Sequence, residues 1–145
     1  MGDLVAINGT NGHARPATVE LPAKLVKADF NMLREAWPWL ESKLEEIRKK
    51  DKEVDFWMTE HVWQMLLAGL QGRSTYELWL AVNSDGVLEG FIVTYTRFNQ
   101  YLNLPISMFV WLGWGKRVMS ELLPELEAAA RERHLKKIEF SSGRR

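Results

Sequence analysis

Residues 106–117 read ISMFVWLGWGKR, and they predict a buried strand, a glycine turn and the start of a helix. Residues 106–112 form a nearly continuous apolar run, which predicts a strand that is buried on both faces of a sheet. Gly113 and Gly115 then predict a tight turn, because glycine adopts backbone conformations that other residues avoid. This turn leads into a helix that is predicted over residues 116–133.

Downstream of the turn, the sequence predicts a kink and one more strand. Pro124 lies inside the predicted helix and should kink it. Residues 135–140 alternate in the way of a short strand, with Ile138 and Phe140 on one face and Lys137 and Glu139 on the other.

Upstream of the turn, the sequence predicts two helices. The first begins after Asp29, which can cap it, and continues to about Lys50, with Pro38 expected to bend or split it. The second covers about residues 59–72. Its inward face is predicted to carry Val62, Leu66 and Leu70.

Three further strands complete the predicted sheet. Residues 76–82 and 87–97 form an antiparallel pair around an NSDG turn that uses Gly86. A short strand at residues 17–21 is confined to an edge of the sheet, because Pro22 lacks a backbone donor.

Composition describes one ordinary domain. The chain has 145 residues, with 19 Lys plus Arg, 19 Asp plus Glu and no cysteine. The balanced charge disfavours specific nucleic-acid binding, and the lack of cysteine excludes disulfides and a thiolate nucleophile. The longest nearly apolar run, residues 104–112, is half of what a membrane span needs, so no membrane association is expected. The three histidines, His13, His61 and His134, are too scattered to suggest a metal site.

Residues 1–23 are predicted to be a flexible N-terminal arm, and residues 24–145 a single domain. The arm is rich in glycine, asparagine and proline, which disfavours a helix. A disordered tail is one interpretation of this composition. Leu4, Val5 and Ile7 are more apolar than a solvated tail requires, which favours the alternative that the arm becomes ordered only against a partner.

The glycine turn is the place where the sequence favours a ligand. Gly113 and Gly115 lead to the start of a helix, whose unpaired amides suit a phosphate, and Lys116 and Arg117 add positive charge. The two glycines also have a purely structural explanation in a tight turn. Between them, an exposed Trp114 ring would line a ligand groove or anchor a partner protein.

The order of elements over residues 17–140 resembles the first two thirds of the GNAT N-acetyltransferase fold. These elements are an edge strand, two helices, three antiparallel strands, a glycine turn, a helix and a parallel strand. The resemblance implies an α+β (α/β) domain with a truncated GNAT-like fold. Its mixed, mostly antiparallel sheet would carry two N-terminal helices and one crossover helix.

In that family, the turn after the fourth strand holds the pyrophosphate of acetyl-CoA. The family motif is Gln or Arg, two residues, Gly, one residue, then Gly or Ala. Gly113 and Gly115 match its glycines, whereas Val110 occupies the position of the Gln or Arg. If the chain is an enzyme, the resemblance implies that these glycines, Lys116 and Arg117 bind acetyl-CoA.

The catalytic base of such an enzyme would deprotonate an amine. Glu89 is the candidate, chosen from its strand position alone.

Several segments of the sequence resemble those of small GNAT-like proteins encoded by tailed bacteriophages and prophages. Examples are WPWLESKLEEI at residues 37–47 and FVWLGWGK at residues 109–116. The main hypothesis is therefore a virion-associated structural or accessory protein without a cofactor. It would bind portal, tail or internal virion proteins, in the virion or the host cytoplasm. Two alternatives are an acetyl-CoA-dependent N-acetyltransferase and an inhibitor of a host defence protein.

Overall fold

The computed structural model describes residues 21–50 and 57–140 of the chain. A strand and two helices come first: β1 (Ala23–Lys27), α1 (Phe30–Lys50) and α2 (Thr59–Leu70). Three long strands follow: β2 (Glu77–Asn83), β3 (Leu88–Asn99) and β4 (Leu104–Trp114). The described chain ends with α3 (Val118–Glu121), α4 (Leu123–Glu132) and β5 (Lys137–Phe140).

The five strands form one mixed sheet in the order β1-β2-β3-β4-β5. The first four strands pair antiparallel, and β5 pairs parallel to β4 through Ser107–Val110. The predicted α+β class and the crossover to a parallel strand are both confirmed. No helix within residues 21–50 and 57–140 has the length and apolar composition of a membrane span.

Helices cover both faces of the sheet. Leu33, Leu40 and Leu44 of α1 pack with Phe91 in one apolar cluster, on the face covered by α1 and α2. Ile92, the next residue of β3, belongs to a second cluster beneath α3 and α4. Because neighbouring strand residues point to opposite faces, the central strands are buried on both sides, as the apolar run in β4 predicts.

A β-bulge in β4 changes which side chains reach the α1–α2 face. The pairing with β3 shifts between Val93 and Thr94, so Trp111 has no residue opposite it. Trp111 packs edge-on against Trp57, with ring centroids 6.0 Å apart, and Leu112 belongs to the same cluster. Two consecutive residues thus face one side, which a regular strand does not allow.

Helix α1 begins as predicted, because the Asp29 carboxylate accepts a hydrogen bond from the Met32 amide at 2.9 Å. Pro38 does not split the helix, which continues from Phe30 to Lys50. Leu33 and Leu44, on the two sides of the proline, are both buried. Packing against the sheet therefore holds both halves in one helix.

The single helix predicted over residues 116–133 is instead two helices that meet at Leu122. Pro124 lies in the first turn of α4, where its missing N–H has no helical partner to lose. The helix-interrupting effect of Pro124 is confirmed, but as a helix start instead of a kink.

One edge strand of the sheet is β1, which begins directly after Pro22, at Ala23. Residues 17–20 of the predicted strand, and residues 1–20 of the predicted arm, lie outside the described residues. Ala23, assigned to the arm, pairs with Asn83 in the sheet. The prediction that Leu70 faces inward is wrong, because the last residue of α2 is 40% exposed.

Candidate functional site

The glycine turn connects β4 to α3 and packs closely against β3. Gly115 has a φ of +126°, which L-residues rarely adopt. A Cβ on Gly115 would lie 2.7 Å from the Glu89 carbonyl oxygen and 2.8 Å from the Gly90 Cα. A Cβ on Gly90 would overlap the Trp114 carbonyl oxygen. The structural explanation for Gly115 is therefore sufficient by itself.

Gly113 differs from Gly115 in its surroundings. It is exposed, and the nearest atom to a Cβ built there is the Phe91 carbonyl oxygen at 3.8 Å. Gly113 lies in β4, opposite Ile92, and not in the predicted turn. A side chain at this position would point into open space beside the turn, so substitution of Gly113 can alter that surface without disturbing the packing of Gly115.

The guanidinium of Arg117, predicted to hold a pyrophosphate, is held by groups of this chain. Its Nη2 lies 3.4 Å from Glu89 Oε1 and donates a hydrogen bond to the Leu21 carbonyl at 2.8 Å. Its Nε lies 3.4 Å from Glu121 Oε1. Only 12% of the side chain is exposed. Two carboxylates therefore compensate its positive charge and keep the Arg117 side chain against the domain.

Glu89, predicted as a catalytic base, is the partner of Arg117 in this arrangement. Its second oxygen, Oε2, accepts a hydrogen bond from Asn83 Nδ2 at 2.9 Å. Both carboxylate oxygens of Glu89 are thus in contact with groups of this chain. Two residues predicted for different roles are thus placed in one ion pair.

The remaining candidates of the turn do not converge on a common point. Lys116 is exposed. Val110, at the motif position of the Gln or Arg, is buried in the cluster under α3 and α4. Among the described residues, no group of three His, Asp or Glu side chains is placed to hold a metal ion.

Trp114 is the last residue of β4 and not part of the turn. Its half-buried ring packs edge-on against Trp39, with centroids 5.8 Å apart and an interplanar angle of 90°. The Lys43 ammonium lies 4.5 Å above the ring centroid. The ring is thus partly used inside the domain, and its role as a partner anchor stays a prediction. Leu4, Val5 and Ile7 lie outside the described residues.

A second carboxylate cluster lies where β3, β4 and β5 meet. Glu139 Oε1 accepts hydrogen bonds from Arg97 at 2.9 Å and from Ser107 at 3.2 Å, while Oε2 lies 3.1 Å from Lys137 Nζ. The hydrogen bond from Lys137, aided by Ser107 and by the charge of Arg97, holds the pKa of Glu139 below its ordinary value. A carboxylate stabilised in this way is a poor proton acceptor.

The alternation of residues predicts that Glu139 lies on the polar face of its strand, but it does not predict a charged cluster there. Two of its partners, Ser107 and Arg97, are 32 and 42 residues away along the chain, so only the strand register brings them to Glu139.

Comparisons with known proteins agree with this architecture. No family model matches the sequence, and no curated protein matches it. Among solved structures, a probable acetyltransferase superimposes with a TM-score of 0.60 at 18% identity, covering 81% of this chain and 78% of that one.

Two further acetyltransferase structures are similar. The ribosomal-protein-alanine N-acetyltransferase of Brucella melitensis biovar Abortus 2308 has a TM-score of 0.59 at 19% identity, covering 83% of this chain and 79% of that one. A predicted acetyltransferase from Clostridium acetobutylicum, solved with acetyl-CoA, has a TM-score of 0.57 at 15% identity, covering 82% and 80%. The mixed sheet, its helices and these similarities together show that the chain has a GNAT-like fold.

Proposed function

We propose that this chain is a GNAT-like protein that acts by binding other proteins and does not transfer acetyl groups. The main observation behind the proposal is that the Arg117 side chain already lies beside two carboxylates of this chain. Glu89 and Glu121 both lie 3.4 Å from its guanidinium. An anionic ligand at the glycine turn would therefore meet a cation that already has two carboxylate neighbours.

The energetics of acetyl-CoA binding support the same conclusion. A micromolar ligand needs about 8 kcal/mol of net binding free energy. A pyrophosphate at this turn would have a compensated Arg117 and a solvated Lys116, whose charge contributes at most about 1 kcal/mol. Helix α3 has only four residues, so its dipole is small.

The biological setting that we propose is a bacteriophage virion, with portal, tail or internal virion proteins as partners. Its support is the resemblance of the sequence to small phage-encoded GNAT-like proteins. A role in assembly also agrees with the apolar residues Leu4, Val5 and Ile7 near the N-terminus.

The second candidate function is acetyl-CoA-dependent N-acetyl transfer. It is favoured by the fold, since one similar structure was solved with acetyl-CoA. In this case Gly113, Gly115, Lys116 and Arg117 would face the cofactor, and Glu89 would have to leave Arg117 to accept a proton from an amine.

An activity measurement distinguishes the two functions. The full chain is incubated with 1 mM acetyl-CoA and a mixture of amine acceptors, which includes polyamines and peptides with free N-termini, and release of the CoA thiol is followed. We expect no release above spontaneous hydrolysis, because neither Arg117 nor Glu89 is available to a substrate. Saturable release that is lost in Glu89→Gln, with unfolding temperature unchanged, would show that the chain is an acetyltransferase.

A further inference from the structure

Four large apolar side chains are exposed together at the end of the β3–β4 hairpin, residues 98–104, which we call the β3–β4 tip. Tyr101 is 92% exposed, Leu102 66%, Leu104 55% and Phe98 43%. Isolated exposed apolar residues are ordinary, but several within one short segment mark an interaction surface.

The β3–β4 tip projects from the sheet. Strand β2 pairs with β3 only as far as Thr94, and β5 pairs with β4 only from Ser107 onward. Beyond these pairs, Thr75 still bonds the backbone of Thr96, and the Lys136 amide donates to the Ile106 carbonyl. Residues 97–105 extend past these contacts as a two-stranded ribbon, which ends in the tip. A partner can therefore reach the apolar side chains without steric hindrance from the rest of the described domain.

The loop of the tip has a defined conformation. The Asn99 side-chain oxygen accepts hydrogen bonds from the amides of Tyr101 and Leu102, both at 2.9 Å. The Asn103 amide donates to the Asn99 carbonyl at 2.9 Å, with Asn103 at a φ of +54°. Because the loop is already ordered, binding loses little conformational entropy.

We propose that the β3–β4 tip is the contact surface of a homodimer, in which the tips of two copies pack around a two-fold axis. In such an interface each residue faces its own copy, so a charged patch would repel itself. Residues 98–107 contain no charged residue. Arg97, the charged residue that precedes this segment in the sequence, is paired with Glu139 at 2.9 Å. Tyrosine and asparagine supply polar groups that can hydrogen-bond to their own copies.

The size of the patch predicts a weak dimer. The four side chains expose roughly 500 Å² per copy, given about 200 Å² for a fully exposed large side chain. This is less than the about 800 Å² per partner of a standard stable interface. We therefore expect the association to be weak and reversible.

Sedimentation equilibrium of the full chain between 5 and 300 μM tests the proposal. We expect a monomer–dimer equilibrium that weakens by about 30-fold or more in Tyr101→Ser/Leu102→Ser, as for an interface hot spot. The unfolding temperature of this variant should be unchanged, because both side chains point into solvent. The matched control is Leu70→Ser, which removes an exposed leucine at the end of α2 and should leave association unchanged.

Crosslinking gives an independent readout because the chain has no cysteine. Gln100→Cys places a thiol on the tip and should form a covalent dimer under mild oxidation, whereas Glu41→Cys on the exposed face of α1 should not. A monomer at 300 μM, or a dimer that persists in the double serine variant, overturns the proposal. Co-sedimentation of that monomer with neutral phosphatidylcholine vesicles would assign the tip to a lipid surface instead.

Discussion

Replacing Gly115 with alanine is expected to lower the free energy of unfolding by about 2–5 kcal/mol, through backbone strain and overpacking together. Its φ of +126° is unfavourable for any L-residue, and the new methyl group would lie 2.7 Å from the Glu89 carbonyl oxygen. Neither effect can relax easily, because two of the three nearest atoms belong to the backbone of β3 and the third to the buried Val118 side chain. Urea unfolding followed by tryptophan fluorescence measures the loss.

Gly113→Ala is the matched control for this prediction. The two glycines are separated by one residue, but a Cβ on Gly113 has 3.8 Å to its nearest neighbour. We expect a change below about 1 kcal/mol, as for a surface substitution. Equal losses in the two variants would mean that the turn does not pack against β3 in the way described.

The second large effect is expected at Leu44. Leu44→Ala should cost about 2–5 kcal/mol, the range measured for leucine truncation in well-packed cores. The side chain is 1% exposed and lies in the cluster between α1 and the sheet. Leu70→Ala, which truncates a leucine that is 40% exposed, should cost less than about 1 kcal/mol. A loss below about 0.5 kcal/mol for Leu44→Ala would place this face of α1 in solvent.

Elements with strong local signals could be predicted from the sequence. Apolar residues at intervals of three and four predict a buried face of α1 that begins at Phe30, and Leu33, Leu40 and Leu44 are buried as expected. Phe30, at the start of the same pattern, is instead 45% exposed. Asp29 caps the helix as expected. The effect of Pro38 could not be predicted from the sequence. Proline destabilises the helix locally, but the packing of the helix on both sides of it outweighs that cost, and the sequence pattern does not report this packing. The exposure of Leu70 was also unpredictable. It depends on where α2 ends relative to the sheet, and the spacing of apolar residues does not give that position.

The candidate site was less accessible to sequence reasoning. Trp114 was expected in a turn because it lies between two glycines, but β4 continues to that residue by pairing with Phe91. The contact between Glu89 and Arg117 joins residues that are 28 positions apart, through the approach of the turn to β3. Both features depend on how distant parts of the chain align in the sheet, and neither the charge pattern nor the glycine spacing predicts that alignment.

Calorimetric titration of the full chain with acetyl-CoA, with Gly113→Glu as a control, tests most directly whether the glycine turn binds this cofactor. This substitution adds a negative charge at an exposed, uncrowded position next to the turn and should leave the fold intact. We expect the wild-type chain to bind acetyl-CoA no more tightly than about 100 μM, which corresponds to about 5.5 kcal/mol of binding free energy. The Gly113→Glu variant should give the same result. Low-micromolar binding that is lost in Gly113→Glu would contradict this expectation and show that the glycine turn holds the cofactor.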